Sequence, residues 1–288
     1  MNYFKTFLLM LFLTAILIVA GGIMGGETGM IIALVLAAAM NIGSYWFSDK
    51  IVLSIYHATP VTESEQPKLY SIVRNLATRG NIPMPKVYTL EEDAPNAFAT
   101  GRNPQHAAVC VTTGIMKILN DNELSGVIGH ELTHVKNRDI LIGSIAATVT
   151  GAVSILAWMA EWGAILGGFG GGNDDREGNI IGIIAMAIIA PLIATIIQLA
   201  ISRQREYAAD KGGAKLSGNP LYLASALNKL EAGNDKIPMP ANQMTNATAH
   251  MFIVNPIKGV TFKKLFSTHP PTEDRIRKLR EMARSGIA

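Results

Sequence analysis

The residues best suited to chemistry in this chain are two histidines and a glutamate in the run His130-Glu131-Leu132-Thr133-His134. Residues four apart on an α-helix stand on the same face, so both imidazoles can point at one metal ion. Glu131 then projects beside them as a general base. This H-E-x-x-H pattern is typical of a zinc site in a metalloprotease.

A pattern this short also arises by chance, and two solvated histidines would then simply share a helix. The flanking residues favour a helix that buries one face. Asp121 or Asn122 is expected to cap its N-terminus, and Lys136 and Arg138 complement the negative end of its dipole. An apolar stripe recurs between them at helical spacing, formed by Leu124, Val127, Ile128, Leu132 and Val135.

A catalytic zinc needs three protein ligands and one open position. The best third candidate is Glu206, which lies four residues before Asp210. If this segment is helical, Asp210 lies on the same face and can accept a hydrogen bond from the second ring nitrogen of a liganding histidine. Taken alone, the two acids are equally well read as solvated charges on an exposed helix.

The composition is that of a membrane protein. Of the 288 residues, 49% are hydrophobic and 16% are charged, and the mean hydropathy is +0.27. A soluble domain has about 25% charged residues. The net charge of +3 is too small to indicate a nucleic-acid partner. The single cysteine, Cys110, excludes an intramolecular disulfide framework and a cysteine-rich structural zinc site.

Four apolar segments have nearly the length that a helix needs to cross a bilayer. They run from about 7 to 24, 30 to 47, 140 to 160 and 180 to 201. The first two predict an uncleaved hairpin anchor, because Ile18-Val19-Ala20 makes a poor signal-peptide cleavage site and a second apolar segment follows within a few residues. The last two predict a second membrane hairpin, with a pair of buried core helices as the alternative.

Positive charge indicates which side of the membrane each part occupies. The connectors inside the two hairpins contain one of the 25 lysines and arginines, Arg176. By the positive-inside rule, both termini and both polar blocks are expected in the cytoplasm. The domains are then an N-terminal hairpin at 1–47, a second hairpin at 140–201, and a catalytic domain formed by 48–139 and 202–288.

The polar block before the zinc motif predicts a small sheet. Strands are expected at Lys86–Leu90 and Ala107–Thr112, with Asn96–Thr100 as a candidate edge strand between them. An exposed edge can bind an extended peptide by strand addition. An ordinary hairpin arm explains the same residues equally well. The expected fold is therefore an α-helical membrane protein with an α+β, zincin-like cytoplasmic catalytic domain, mainly helical with one small sheet.

Together these features resemble the HtpX family of bacterial membrane zinc metalloproteases, within the wider Ste24/Oma1-like gluzincins. The resemblance covers nearly the whole chain, with no departure at any motif position. Its residues are His130–His134, Glu206–Asp210 after a membrane span, Asn96-Ala97-Phe98-Ala99, and Ser267-Thr268-His269-Pro270-Pro271.

The resemblance implies one zinc ion held by His130, His134 and Glu206, with Glu131 as the base. It also implies cleavage of damaged or misfolded membrane proteins from the cytoplasmic face of the bacterial inner membrane, as part of a stress response. The partners would be unfolded or membrane-protein substrates and the lipid bilayer, with no nucleic acid. The oligomeric state does not follow from the resemblance.

A second group that stabilises the oxyanion, or contacts the substrate, is expected in such a site. The candidates in the sequence are His269, Arg203, Tyr207 and Asn96. A structural role suits His269 as well, because it precedes two prolines that open a terminal helix. The other histidines have no partner spacing and are interpreted as ordinary polar residues; they are His57, His106 and His250.

Two other functions fit a zinc-binding membrane chain. A transporter or metal sensor would bind zinc without hydrolysis, but transporters carry ionisable residues inside their spans. There are none at 140–160 or 180–201. An inactive adaptor would be expected to have a broken zinc motif, and this motif is intact.

Overall fold

The computed structural model describes residues 2–167, 203–239, 245, 248–255 and 270–286. For 2, 3, 23, 24 and 154–167 the description covers the backbone alone. The predicted fourth apolar segment and His269 lie outside the described residues. Within them the chain is mostly helical with one small sheet, as the sequence predicts.

The N-terminal hairpin is formed by α1 (Asn2–Trp46), which breaks at Gly25 and Gly26. Gly26 has a φ of 58°, a left-handed conformation that glycine adopts without steric cost. The halves Phe4–Gly22 and Gly25–Trp46 are each long and apolar enough to cross a bilayer. The connector between them is shorter than the sequence predicts, because the reversal at the two glycines leaves the following residues helical.

Small and polar residues hold the two halves of α1 together. The Asn41 side chain donates from Nδ2 to Thr14 Oγ1 at 2.9 Å and to Met10 O at 3.3 Å. Near the turn, a Cβ atom on Gly21 would lie 2.4 Å from the Gly29 carbonyl oxygen. Only glycine allows this approach. Hydrogen bonds and close backbone contact of this kind stabilise helix pairs in a bilayer.

The third apolar segment is α6 (Ile140–Gly167), a 28-residue helix that is roughly 42 Å long at 1.5 Å per residue. Its first half packs against the hairpin of α1 and forms an apolar cluster with it. The buried members are Leu9, Leu13, Leu17, Ala33 and Ala37 from α1, and Leu141, Ile142, Ile145, Ala146, Val149 and Val153 from α6.

The sheet contains four strands in the order β1-β2-β4-β3. They are β1 (Thr59–Pro60), β2 (Lys86–Leu90), β3 (Ala97–Gly101) and β4 (Ala107–Thr112). Strands β2 and β4 are parallel, and β3 pairs antiparallel with β4. Strand β3 is therefore an edge strand, one residue further along the chain than predicted.

Among the described residues, seven further helices surround this sheet or follow it. They are α2 (Ser48–Ile55), α3 (Pro67–Gly80), α4 (Thr113–Ile118), α5 (Asp121–Lys136), α7 (Arg203–Ser217), α8 (Pro220–Lys236) and α9 (Thr272–Arg284). One core is formed by apolar side chains from α3, the sheet, α5, α7, α8 and α9. The polar blocks on either side of α6 thus fold into one body.

Helix α5 carries the zinc motif and begins at Asp121, as the sequence predicts. Its cap is Asn120 rather than Asp121 or Asn122, because Glu123 at the third helical position completes a capping box. Asn120 Oδ1 accepts from the Glu123 backbone N–H at 3.0 Å, and Glu123 Oε2 accepts from the Asn120 N–H at 3.0 Å.

Helix α7 crosses α5 at close range because glycines meet at the contact. A Cβ atom on Gly213 would lie 2.6 Å from the backbone nitrogen of His130, and one on Gly129 would lie 2.9 Å from the Gly213 carbonyl oxygen. The two backbones therefore touch without intervening side chains. This contact brings the N-terminal turn of α7, with Glu206, to the histidines of α5.

Candidate metal centre

Three side chains converge at the crossing of α5 and α7. His130 and His134 point their Nε2 atoms at one another across 3.2 Å. The Glu206 carboxylate lies 3.7 Å from His130 Nε2 and 3.5 Å from His134 Nε2. Two ligands on a tetrahedral zinc with bonds of about 2.05 Å are separated by roughly 3.3 Å. The donor atoms are thus spaced as a zinc ion requires.

The outer nitrogen of each histidine has a carboxylate partner. His130 Nδ1 donates to Asp210 Oδ1 at 2.9 Å, and His134 Nδ1 donates to Asp139 Oδ2 at 3.1 Å. Such partners keep Nε2 unprotonated and facing the metal. Asp210 was expected in this role from its spacing to Glu206. Asp139 was not expected, because it lies five residues after His134, beyond the end of α5.

Arg275 is a second residue that the sequence analysis missed. It projects from α9 and is 1% exposed. Its guanidinium donates to both oxygens of Asp210, at 2.9 Å from Nε and 2.6 Å from Nη2. From the sequence, the terminal helix was expected to be a charged surface helix, and nothing in its pattern set Arg275 apart from its other charged residues. Arg275 is buried and reaches Asp210 because α9 packs on α7 and α8.

Glu131 lies beside the ligands and is 2% exposed. Burial raises the pKa of its carboxyl group to about 8, and the charge of Glu206 adds to the rise. His134 acts against it, as does a hydrogen bond from the backbone N–H of Ala99 in β3. A bound cation would lower this pKa again, because it favours the carboxylate form. Glu131 is thus suited both to take and to give up a proton.

The electrostatics of the two histidines favour a cation between them. Burial lowers the pKa of His130 to about 4, which leaves its imidazole neutral and able to ligate. Burial also acts to lower the pKa of His134, but Glu206, Asp139 and Glu131 outweigh it and raise that pKa to about 9. The carboxylates therefore attract positive charge, which a divalent metal ion would supply.

Asp210 is held in its ionised form. Burial acts to raise its pKa, yet the neighbouring Arg275 and His130 outweigh burial and lower the pKa to about 2. A carboxylate that stays charged is a strong acceptor for the imidazole N–H of His130.

The ligands line a cleft between the sheet, α5 and the foot of α6. Its walls include the first turn of α6, the edge strand and a short segment near 250. Besides His130, His134, Glu206 and Glu131, the residues that line the cleft are Ala99, Asp139, Ile140, Gly143, Arg205, His250, Met251, Phe252 and Ile253. The same cleft thus contains the three candidate metal ligands, Glu131 and an edge of the sheet.

The remaining predicted site residues lie away from this cleft or outside the described chain. Arg203 is exposed at the start of α7. Tyr207 is half-buried, with Lys278 Nζ 4.3 Å above its ring centre. Asn96 is fully buried, and its amide donates to the Val254 carbonyl at 2.7 Å. His269 is not among the described residues.

His250 reaches the cleft although its sequence context suggested an ordinary polar residue. It is 6% exposed, and its Nε2 lies 3.1 Å from the carbonyl oxygen of Gly143 in α6. No short-range spacing pointed to this position, because the contact joins residues 107 apart in the sequence.

Known proteins are similar to this chain over nearly its full length. Residues 63–283 match the model of Peptidase family M48. A Protease HtpX homolog from Syntrophotalea carbinolica is 57% identical, with 98% of this chain and 99% of the relative covered. Another from Syntrophobacter fumaroxidans is 55% identical, with 97% and 99% covered. The crystal structure of S. mikatae Ste24p has a TM-score of 0.48 at 18% identity, and the match covers 86% of this chain and 57% of that chain.

Together with these relatives, the His-His-Glu cluster with a glutamate beside it and the two long apolar helices indicate a membrane metalloprotease. More specifically, the chain belongs to peptidase family M48, whose model matches most of its length. The resemblance to HtpX proteases noted in the sequence is confirmed by relatives that cover the chain almost end to end. These findings favour a peptidase over a transporter or sensor.

Proposed function

We propose that this protein is a zinc-dependent endopeptidase that cleaves damaged or misfolded membrane proteins from the cytoplasmic side. The observation that carries the proposal is the convergence of His130 Nε2, His134 Nε2 and the Glu206 carboxylate beside Glu131. Two imidazoles and one carboxylate form a donor set that suits zinc and leaves one position open. One ion per chain follows from the single cluster among the described residues.

The ion, when bound, lowers the pKa of water and polarises the scissile carbonyl. Glu131 takes the proton from the attacking water and later delivers it to the leaving amine. The Ala99 N–H orients the Glu131 carboxylate, and burial gives this group a pKa near neutrality. Asp210 and Asp139 hold the two imidazoles in the tautomer that ligates through Nε2.

The substrate backbone is proposed to bind along the outer edge of β3, next to Ala99. Ala99 lines the cleft and its N–H reaches Glu131. The neighbouring backbone acceptor on this edge, Ala97 O, already accepts a hydrogen bond from the Ile253 N–H at 3.2 Å. An extended peptide would therefore gain a short stretch of strand-like pairing, with the scissile bond close to the base.

A membrane-protein substrate is supported by the position of the cleft at the foot of α6. Ile140 and Gly143 line it, and the residues between them pack against the hairpin of α1. A polypeptide that leaves the bilayer beside this helix would meet the catalytic groups within a short distance. The excess of lysine and arginine in the polar blocks supports the cytoplasmic side.

The test is Glu131→Gln, assayed on an unfolded membrane protein with purified enzyme in detergent. This variant should keep its zinc, because Glu131 is not a ligand, and should lose at least about 10²-fold in cleavage rate, because the base is gone. Glu273→Gln, an exposed change on α9, is the matched control and should cleave like the wild type. Cleavage by Glu131→Gln at the wild-type rate would contradict the assignment of the base.

A further inference from the structure

Arg275 joins the surroundings of the metal site to the edge of the sheet. Two of its nitrogens bind Asp210, the partner of His130, and its Nη2 also lies 3.4 Å from His130 Nδ1. Its third nitrogen, Nη1, donates to the carbonyl oxygen of Ile253 at 2.9 Å. All three ends of the guanidinium are therefore engaged inside the protein.

Ile253 is the connection to the sheet. Its carbonyl accepts from Arg275, while its N–H donates to Ala97 O on the outer edge of β3. The next residue, Val254, is clamped by Asn96, whose side chain donates to the Val254 carbonyl at 2.7 Å and lies 3.5 Å from its N–H. The backbone at 253–254 is thus held against the outer edge of β3 by one backbone hydrogen bond and by the Asn96 side chain.

The fixed geometry of a guanidinium suits this role. Arginine presents its donors in a rigid planar fork, so a carboxylate and a carbonyl bound to it are held in a fixed relative orientation. A lysine in the same place is a flexible point charge with no fork. Burial makes the contacts obligatory, since a buried charge without partners is strongly destabilising.

We propose that Arg275 is a positioning residue that couples zinc ligand His130, through Asp210, to the peptide-binding edge of the sheet, through Ile253. A shift of either partner is then transmitted to the other. The part that concerns the peptide edge rests on the proposed function. The part that concerns zinc does not depend on the proposed function, because it is tested by measuring zinc affinity alone.

The first experiment measures zinc affinity by competition with a chromophoric chelator, with all variants made in the Glu131→Gln background to prevent self-cleavage. Arg275→Lys should bind zinc roughly 10- to 100-fold more weakly, the usual effect of losing the partner that orients a metal-ligating histidine. Arg277→Ala is the matched control: it lies on the same helix, is exposed, and pairs only with acids of α9 among the described residues. Its zinc affinity should equal that of the parent.

A second variant separates positioning from folding. The pair Asp210→Asn with Arg275→Met removes both buried charges, so neither is left unpaired, and it keeps an acceptor for His130. We expect this protein to fold and still to bind zinc more weakly than the parent, by a similar factor. If the double variant and Arg275→Lys both bind zinc like the parent, whatever their thermal stability, the proposal is wrong.

The third experiment tests the coupling to the peptide edge in enzyme with Glu131 intact, at saturating zinc. Asn96→Ala removes the clamp on Val254 without touching Asp210, and should raise KM by roughly two- to tenfold, as expected for one lost hydrogen bond. Arg275→Lys should raise KM and weaken zinc together. If the KM of Arg275→Lys equals that of the wild type, the proposed coupling of Arg275 to the peptide-binding edge of β3 is wrong. Absence of cleavage by the wild type would refute the proposed function but leave the zinc result standing.

Discussion

Each of the two candidate metal-ligating histidines donates a hydrogen bond from Nδ1 to a carboxylate, and the two carboxylates come from different parts of the chain. Asp210 comes from α7, whereas Asp139 precedes α6, the helix that leads into the apolar region. The two partners also differ in their own environment, because Asp210 is held by buried Arg275 and Asp139 lies 3.6 Å from Arg205. The orientation of His134 is thus tied to the start of α6.

Asp139→Asn should weaken zinc binding by about tenfold, at the lower end of the range for such partners. Asparagine can still accept from His134, but it does not raise the basicity of the imidazole as a carboxylate does. Chelator competition measures the affinity, and exposed Asp121→Asn is the control. An affinity equal to that of the wild type would show that the Asp139 charge does not support the site.

At the scale of helices, the metal site depends on how closely α5 and α7 approach. His130 and His134 belong to α5 and Glu206 to α7, so the ligand set exists only where these helices touch. Gly129 and Gly213 allow that contact. The separation of the two helix axes is therefore the quantity that sets the ligand distances.

Gly213→Ala should disrupt the metal site. The new methyl group would lie 2.6 Å from the His130 backbone nitrogen, so α7 must move away and carry Glu206 with it. Overpacking of this kind costs about 1–3 kcal/mol, and the zinc affinity should fall as well. Gly43→Ala, which would meet nothing within 4 Å, is the control. Native Tm and native zinc content in Gly213→Ala would rule out this explanation.

Glu123 links the cap of α5 to α8. Its carboxylate accepts from Ser225 Oγ and from Lys229 Nζ, both at 2.7 Å, as well as from the Asn120 N–H. Burial acts to raise its pKa, but Lys229 and these hydrogen bonds outweigh burial and lower the pKa below its ordinary value of 4.5. The stabilisation is then fully present above pH 4.5 and is lost as the pH falls below it.

Glu123→Gln should lower stability at pH 7 by about 1 kcal/mol, a modest figure because Lys229 is partly exposed to solvent. Glutamine preserves the capping box, so the change isolates the charge. The difference in Tm between wild type and variant should narrow as the pH is taken below 4.5. A constant difference from pH 7 to pH 4 would contradict the role of the carboxylate charge.

At the scale of the whole molecule, the cleft lies where three parts meet: the sheet, the α5–α7 pair and the foot of α6. The apolar cluster of α1 and α6 begins at Leu141, between two cleft residues, Ile140 and Gly143. Arg102, directly after edge strand β3, donates to the Trp46 carbonyl oxygen and stacks over the Trp46 ring at the end of α1. The start of α6 and the residue after β3 therefore both contact the hairpin.

The proposed sidedness predicts the behaviour of reporter fusions. Alkaline phosphatase, which is active only outside the cytoplasm, should be inactive when fused after residue 288 and active when fused after residue 24, at the turn of the hairpin. The reason is the positive-inside bias of the polar blocks. A fluorescent protein fused at the C-terminus should fluoresce. An active C-terminal phosphatase would reverse the orientation.

Local elements were predictable because they depend on short-range periodicity. The zinc helix, strands β2 and β4, the hairpin of α1 and the course of α6 were all expected from the pattern of apolar residues. The misplaced details are local as well: the cap at Asn120 and the two-residue reversal at Gly25 and Gly26. Both depend on one specific hydrogen bond or dihedral angle, which apolar patterning does not record.

The sequence by itself determined the chemistry of the site. His130, Glu131 and His134 share a helical face wherever that helix lies, and Glu206 with Asp210 repeats the same spacing. The tertiary structure alone decided which groups surround that chemistry. Asp210 and Arg275 are 65 residues apart, and His250 reaches α6 across 107 residues. Such contacts follow from how whole helices pack, because side chains distant in sequence meet only once the backbone elements between them are in place.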